Sequence, residues 1–189
     1  MEAAGGAPAS SERVFTGSLF SVDVETWTDP ERRREIVRHL GAVAVVPVTA
    51  DDDVILVRQY REAIRRNLLE VPAGVLDVPG EEPESAAIRE VEEETDLKVR
   101  AIRPLHPIHT SPGFVDEAIH LFLAEVEGEP RPQADEGITE VVRLPLAEAV
   151  RRVHTGEIDD AKTALALLLA ERVLRGEDRS SLDEEVERA

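Results

Sequence analysis

Residues 74–97 read GVLDVPGEEPESAAIREVEEETDL, and the way this stretch divides decides the fold around it. Its first half is punctuated by Gly74, Pro79, Gly80 and Pro83, the composition of a loop. Its second half carries helical periodicity, and the spacing predicts a helix from about Glu84 to Thr95, with Pro83 suited to the first turn. At about 100° per residue with Glu90 set at zero, Glu94 falls near +40° and Glu93 near −60°, so these carboxylates share one arc. Ala87, Ile88 and Val91 fall on the neighbouring arc, which places a core-facing stripe beside an acidic one.

A solvated acidic face is the plain alternative, because charge runs usually face water. Two features weigh against it. Glu90 and Glu94 are like charges at i and i+4, a spacing that costs a few tenths of a kcal/mol, and Arg89 is the sole basic residue of the helix. Gly74 and Gly80 also let the backbone turn tightly beside that face. Carboxylates clustered against exposed backbone form a hard-oxygen site suited to Mg²⁺ or Mn²⁺.

Outward from this helix the chain reads as strands. From Val14, VFTGSLFSVDVETW alternates apolar and polar residues around Gly17 and Ser18, as a hairpin does. A second strand region spans Arg34 to Val48, in which GAVAVVPV is apolar on both faces and predicts a buried strand. Asp51, Asp52 and Asp53 read as a solvated turn before a partner strand, VILVRQYR. Further strands are predicted near Val99 to Leu105, Glu117 to Glu127 and Ile138 to Leu144, with loops at HPIHTSPGF and GEPRPQADEG. A short helix from Pro145 to Val153 and a longer one from Asp160 to Arg175 follow, the latter with Leu165, Leu168, Leu169 and Val173 at core spacing. Phe20 reads as core, and Trp27 and Tyr60 as packing or dimer residues. His106 and His109 read as loop histidines rather than a metal pair.

This order of elements argues for an α+β fold. Residues 1–12 are expected to be a disordered arm, 13–40 an N-terminal antiparallel strand region, 41–175 the main domain and 176–189 a charged tail.

The composition limits what such a domain can do. Forty Asp and Glu against 22 Lys and Arg give a formal net charge of −18, which repels a phosphate backbone and argues against nucleic-acid partners. With no Cys there is no thiol nucleophile, thiolate zinc site or disulfide. The apolar run from Ala164 to Ala170 is far short of the ~20 residues of a membrane span, and the opening MEAAGGAPASSER carries no export signal, so a cytoplasmic protein is expected.

The stretch from Gly74 to Leu97 resembles the Nudix box, Gly-x5-Glu-x7-Arg-Glu-U-x-Glu-Glu-x-Gly-U, where U is bulky and aliphatic. Glu81, Arg89, Glu90, Val91, Glu93, Glu94 and Leu97 fall in register, while six residues rather than five separate Gly74 from Glu81 and Asp96 replaces the late Gly. VRQYREAIRRNLLEVPAG, REIVRHLGAVAVV, SPGFVDE with its Pro112, and GEIDDAKTALALLL are similar to segments of the ADP-ribose pyrophosphatase branch of that family.

The resemblance implies a Nudix α/β/α sandwich with a mixed central sheet, a homodimer built through the N-terminal strands, and Mg²⁺- or Mn²⁺-dependent hydrolysis of ADP-ribose to AMP and ribose 5-phosphate. It implies Glu90, Glu94 and the carbonyl of Ala73 as metal ligands, Glu93 as ligand or close support, and Arg89 as the residue that orients a glutamate. It implies a loop acid as base or extra ligand, Glu136 first and Asp135 second. Arg61 matches an arginine on the diphosphate, Arg34 one that reaches the substrate from the partner subunit, and Glu117 a glutamate near the terminal ribose. Each of these three has a surface ion pair as its alternative. Another nucleoside diphosphate sugar, a dinucleoside polyphosphate, or a non-catalytic ADP-ribose sensor are the competing functions.

Overall fold

β4 (Ala42–Val48) is buried along its whole length, as its unbroken run AVAVVPV requires, and the fold is layered about it. It pairs in parallel with β9 (Ala118–Glu127), which pairs antiparallel with β8 (Lys98–His109) at the edge of the sheet. On its other side β4 meets β5 (Asp53–Arg61), which carries β10 (Ile138–Pro145) at the opposite edge. Together with β6 (Arg66–Glu70) and β7 (Ala73–Val75), these form a mixed seven-stranded sheet. The computed structural model describes residues 7–28, 31–132 and 137–176.

One irregularity in this sheet shapes everything that follows. β4 and β5 pair only at Val48↔Val54 and then diverge, β6 continuing along β5 and β7 along β4. Pro47 lies next to the point of separation, where its missing N–H costs no ladder bond. Inside the split, Val45 N donates to Pro72 O at 2.9 Å.

Helices cover both faces. α1 (Pro83–Thr95) sets Ala86, Ala87 and Val91 against Val43, Val45, Phe122 and Ala124. α2 (Leu146–Thr155) and α3 (Ala161–Leu174) close the other face over Ala44, Val46, Val48, Leu121 and Leu123. The result is an α/β/α sandwich. α3 buries Thr163, Ala166, Leu167 and Ala170, whereas Leu165, expected in the core, is exposed and Leu168, Leu169 and Val173 are only partly buried. Thr163, Ala166 and Ala170 face inward beside Leu167, and such small side chains let the helix lie close to the sheet, a contribution that a search for large apolar residues overlooks.

β1 (Ser10–Thr16), β2 (Phe20–Thr28) and β3 (Glu31–His39) form a separate three-stranded antiparallel sheet. The expected arm of residues 1–12 is therefore too long, since Ser10 to Glu12 pair with Val24 to Thr26 through backbone bonds that polar residues make as well as apolar ones. Phe20 is not core: it is 39% exposed, with its ring 5.5 Å from that of Phe15. Arg32 sits 4.8 Å above the Trp27 ring. The small sheet joins the large domain at the loop before β9, where Val37 N donates to Phe114 O at 2.7 Å and Asp116 N to Val37 O at 3.2 Å. Arg38 bonds Asp23 and Glu25 within the small sheet and Asp116 across the junction, and Asp116, although desolvated, is held below the ordinary carboxylate range by the backbone N–H of His39 and by Arg38.

The expected loop HPIHTSPGF is half strand, because β8 runs on to His109 through Pro104 and Pro107 with a break in register between them. Among the described residues, no helix is long and apolar enough to cross a membrane.

Candidate active site

The site grows from the split in the sheet. Because β7 leaves β5 to follow β4, its backbone passes directly over the acidic face of α1. At Gly74 the approach is so close that a Cβ there would lie 2.0 Å from Cδ of Glu90. Only glycine fits. The extra residue between Gly74 and Glu81 is taken up beyond β7, in a turn where Glu81 N donates to Val78 O at 3.2 Å and Gly80 adopts φ 81°. Asp96 ends α1 in the left-handed region at φ 61°, its N–H donating to Glu92 O, so it performs the turn that a glycine makes in the motif.

On α1, Glu90 and Glu94 are 8% and 4% exposed although both are acids, so the solvated-face alternative does not describe them. α1 has no basic residue in its last turn, so Glu92, Glu93 and Glu94 also stand against the helix dipole, at a cost of a few tenths of a kcal/mol or more each. Glu93 is about half exposed.

Arg89 gathers the rest. Its guanidinium donates to both oxygens of Glu81 at 3.1 and 3.0 Å, to Glu90 Oε1 at 2.6 Å and to Glu93 Oε2 at 2.8 Å. Its pKa is raised above the ordinary arginine value, chiefly by the bonds to Glu81, and that of Glu81 is lowered in return. One cation thus holds three carboxylates, and Glu81 is a partner that the spacing argument did not assign.

Among the described residues, no three His, Asp or Glu side chains converge as metal ligands. The donor set around Glu90 nevertheless fits a hard divalent cation. Glu90 and Glu94 stand one turn apart on α1, and the backbone of β7 passes against Glu90 with no side chain between them. A backbone carbonyl such as that of Ala73 is a further hard oxygen donor.

Arg61 ends β5, on the far side of the split. It donates from Nε to Glu70 Oε1 and from Nη2 to Glu70 Oε2, both at 2.7 Å. Its pKa is raised mainly by Glu70, with further contributions from Asp160 and Glu94, so it lies within electrostatic reach of the acidic helix. Glu70, 1% exposed, was missed by sequence reasoning. The signal was present, since a carboxylate inside the apolar run LLEV needs a counter-charge when the strand is buried.

Glu117 accepts from Thr110 Oγ1 at 2.8 Å and lies 3.5 Å from His39 Nδ1, at the junction with the small sheet. Arg34 is exposed on β3, its Nη1 donating to Arg33 O at 2.9 Å. Arg89 thus bonds Glu90 and Glu93, Glu94 stands one turn along the same helix, Ala73 precedes the Gly74 that packs on Glu90, and Arg61, Glu117 and Arg34 lie on other elements. Glu136 and Asp135, the expected loop acids, lie outside the described residues.

Residues 38–167 match the NUDIX domain family. The chain belongs to the Nudix family. Among similar proteins, the ADP-ribose pyrophosphatase of Bacillus subtilis is 42% identical over 84% of this chain and 88% of its own length. The ADP-ribose pyrophosphatase of Mycobacterium tuberculosis is 37% identical over 88% of this chain and 84% of its own. The GDP-mannose pyrophosphatase of Escherichia coli K12 is 33% identical over 82% and 90%. A solved structure described as an ADP compounds hydrolase superposes with a TM-score of 0.75 at 26% identity, covering 92% of this chain and 97% of that one.

Proposed function

We propose that this Nudix protein hydrolyses the diphosphate bond of ADP-ribose, giving AMP and ribose 5-phosphate with Mg²⁺ or Mn²⁺ as cofactor. The observation that carries the chemistry is the close packing of the β7 backbone on Glu90, which joins buried carboxylates to backbone at one point. The substrate rests on similarity to two proteins named ADP-ribose pyrophosphatase.

In this reading Glu90, Glu94 and the Ala73 carbonyl would hold the divalent cation, which would supply positive charge against the diphosphate and its attacking water. Arg89 fixes the rotamers of Glu81, Glu90 and Glu93, so the acids keep their places without rearranging when substrate arrives. Arg61 directs N–H groups toward the diphosphate, for which a planar guanidinium is well shaped. Water adds to one phosphorus, the bridging P–O bond breaks, and the proton of the water passes to a loop acid, Glu136 or Asp135. Glu117 accepts hydrogen bonds from the hydroxyls of the terminal ribose.

We further expect a cytoplasmic homodimer. The small sheet exposes Val14, Phe15, Leu19 and Phe20, an apolar surface suited to a second copy, and Arg34 on that sheet would reach the partner's substrate. Residues 41–175 would form the Nudix hydrolase domain and 13–40 the dimerisation and substrate region, with no nucleic-acid partner.

The test is product analysis after incubating the chain and its Glu94→Gln variant with Mg²⁺ and, separately, ADP-ribose and GDP-mannose. AMP formed chiefly from ADP-ribose and abolished in the variant is the expected result. Preferential turnover of GDP-mannose, which the E. coli relative's name favours, would keep the cation chemistry and change the substrate.

A further inference from the structure

At the start of α3, Lys162 and Thr163 bond both to the N-cap Asp160 and to Glu70 and Val71 at the end of β6. Lys162 Nζ donates to Glu70 Oε2 and, at 2.9 Å, to Asp160 Oδ2. Thr163 Oγ1 accepts from Val71 N at 3.0 Å and donates to Asp160 Oδ2 at 2.6 Å. Glu70 is thus held from two sides, by Lys162 and by the paired N–H groups of Arg61. The side chains of Glu70 and Lys162 are 1% and 14% exposed, while that of Arg61 is 38% exposed.

Stability does not explain this arrangement. Buried ion pairs contribute little or nothing relative to well-packed apolar residues, because desolvation offsets the attraction. What the network does fix is direction. The Nε and Nη2 edge of Arg61 is committed to Glu70, which turns the Nη1 edge of the guanidinium away from that carboxylate. Arg61 is joined to the α3 network through Glu70, and Glu94 is among the charges that act on it, so the guanidinium is also within electrostatic reach of the acidic helix.

We propose that Lys162 is a positioning residue, which acts through Glu70 to hold the Arg61 guanidinium toward the substrate diphosphate. This rests on the reading of Arg61 as a diphosphate-binding residue. If Lys162 is removed, Glu70 keeps one cation, and the carboxylate can swing with Arg61 instead of anchoring it. Arginine at position 162 can still donate to both acids.

The test follows the Arg61 Nε–H resonance in the ¹⁵N-labelled full-length chain, assigned by its loss in Arg61→Lys. The resonance is expected to be sharp in the unaltered protein, broadened or shifted in Lys162→Met, and recovered in Lys162→Arg. In parallel, KM for ADP-ribose is expected to rise about tenfold in Lys162→Met with a smaller change in kcat, the scale of one charge-assisted hydrogen bond. The increase should vanish when Lys162→Met is made in an Arg61→Lys background. ADP-ribose binding measured calorimetrically in EDTA should weaken in step.

An unchanged Arg61 resonance in Lys162→Met, or an equal rise in KM in both backgrounds, overturns the proposal. If Lys162→Met does not fold, Glu70→Gln gives the same resonance readout with the side-chain shape retained. If the protein does not turn over ADP-ribose, the substrate reading fails, while the resonance still decides whether Lys162 orders Arg61.

Discussion

A methyl group on Gly74 would meet Cδ of Glu90 at 2.0 Å and its oxygens at 2.1 and 2.4 Å. Neither partner can retreat easily, since Gly74 is paired with Val43 in the sheet and Glu90 is bonded to Arg89. Gly74→Ala must therefore shift the carboxylate or the strand. A displacement of about 1 Å at a catalytic group can cost about 10²-fold in rate, and kcat for ADP-ribose should fall by that order while the circular dichroism spectrum is retained. A variant within a few fold of the parent would show that the contact is not part of the catalytic geometry. At this scale the sequence was informative wherever spacing alone places side chains, as on α1. It marked Glu70 as an acid in need of a counter-charge but could not name the partners, which are nine and 92 positions away along the chain.

The elements were legible where local pattern and tertiary role agree. β4 and α1 are such cases: the first is apolar throughout, and the second carries its stripe and its acids at helical spacing. β1 and the far end of β8 were misjudged because backbone pairing, which any residue can make, matters more there than side-chain pattern. α3 was placed correctly, and Leu168, Leu169 and Val173 do pack on the core, but its most buried positions were overlooked, since Thr163 and the two alanines serve close approach rather than bulk. Thr163 carries a measurable consequence. Thr163→Val keeps the shape, removes the bond to Asp160 and leaves the buried Val71 N–H without its acceptor, so the protein should lose about 2 kcal/mol in urea denaturation. A change below about 0.5 kcal/mol would mean that the anchor of α3 lies elsewhere.

Across the whole molecule, an excess of 18 negative charges coexists with carboxylates that are individually stabilised as anions. Asp23, Glu70, Glu81, Asp116 and Asp160 all have lowered pKa values, and Arg151 with Arg152 pull Glu148 down to about 2. A group whose pKa falls on folding contributes its stability in full above the unfolded value and loses it as pH drops through the folded one. The ordinary values here are 4.5 for Glu and 3.8 for Asp, so the urea midpoint should be held down to about pH 5 and then fall steadily toward pH 2. A midpoint that rises on acidification to pH 3 would mean that relief of the net charge outweighs loss of these pairs. The edges of the large sheet matter at the same scale. β8 is a twelve-residue outer strand, and an outer strand that long offers a row of open backbone groups to any neighbouring chain. Pro104 and Pro107 carry no N–H and flank a break in the register with β9, so the strand is irregular there and a poor template for intermolecular strand addition. The prolines that disguise this strand in the sequence thus guard a crowded solution of the protein against fibrillar growth.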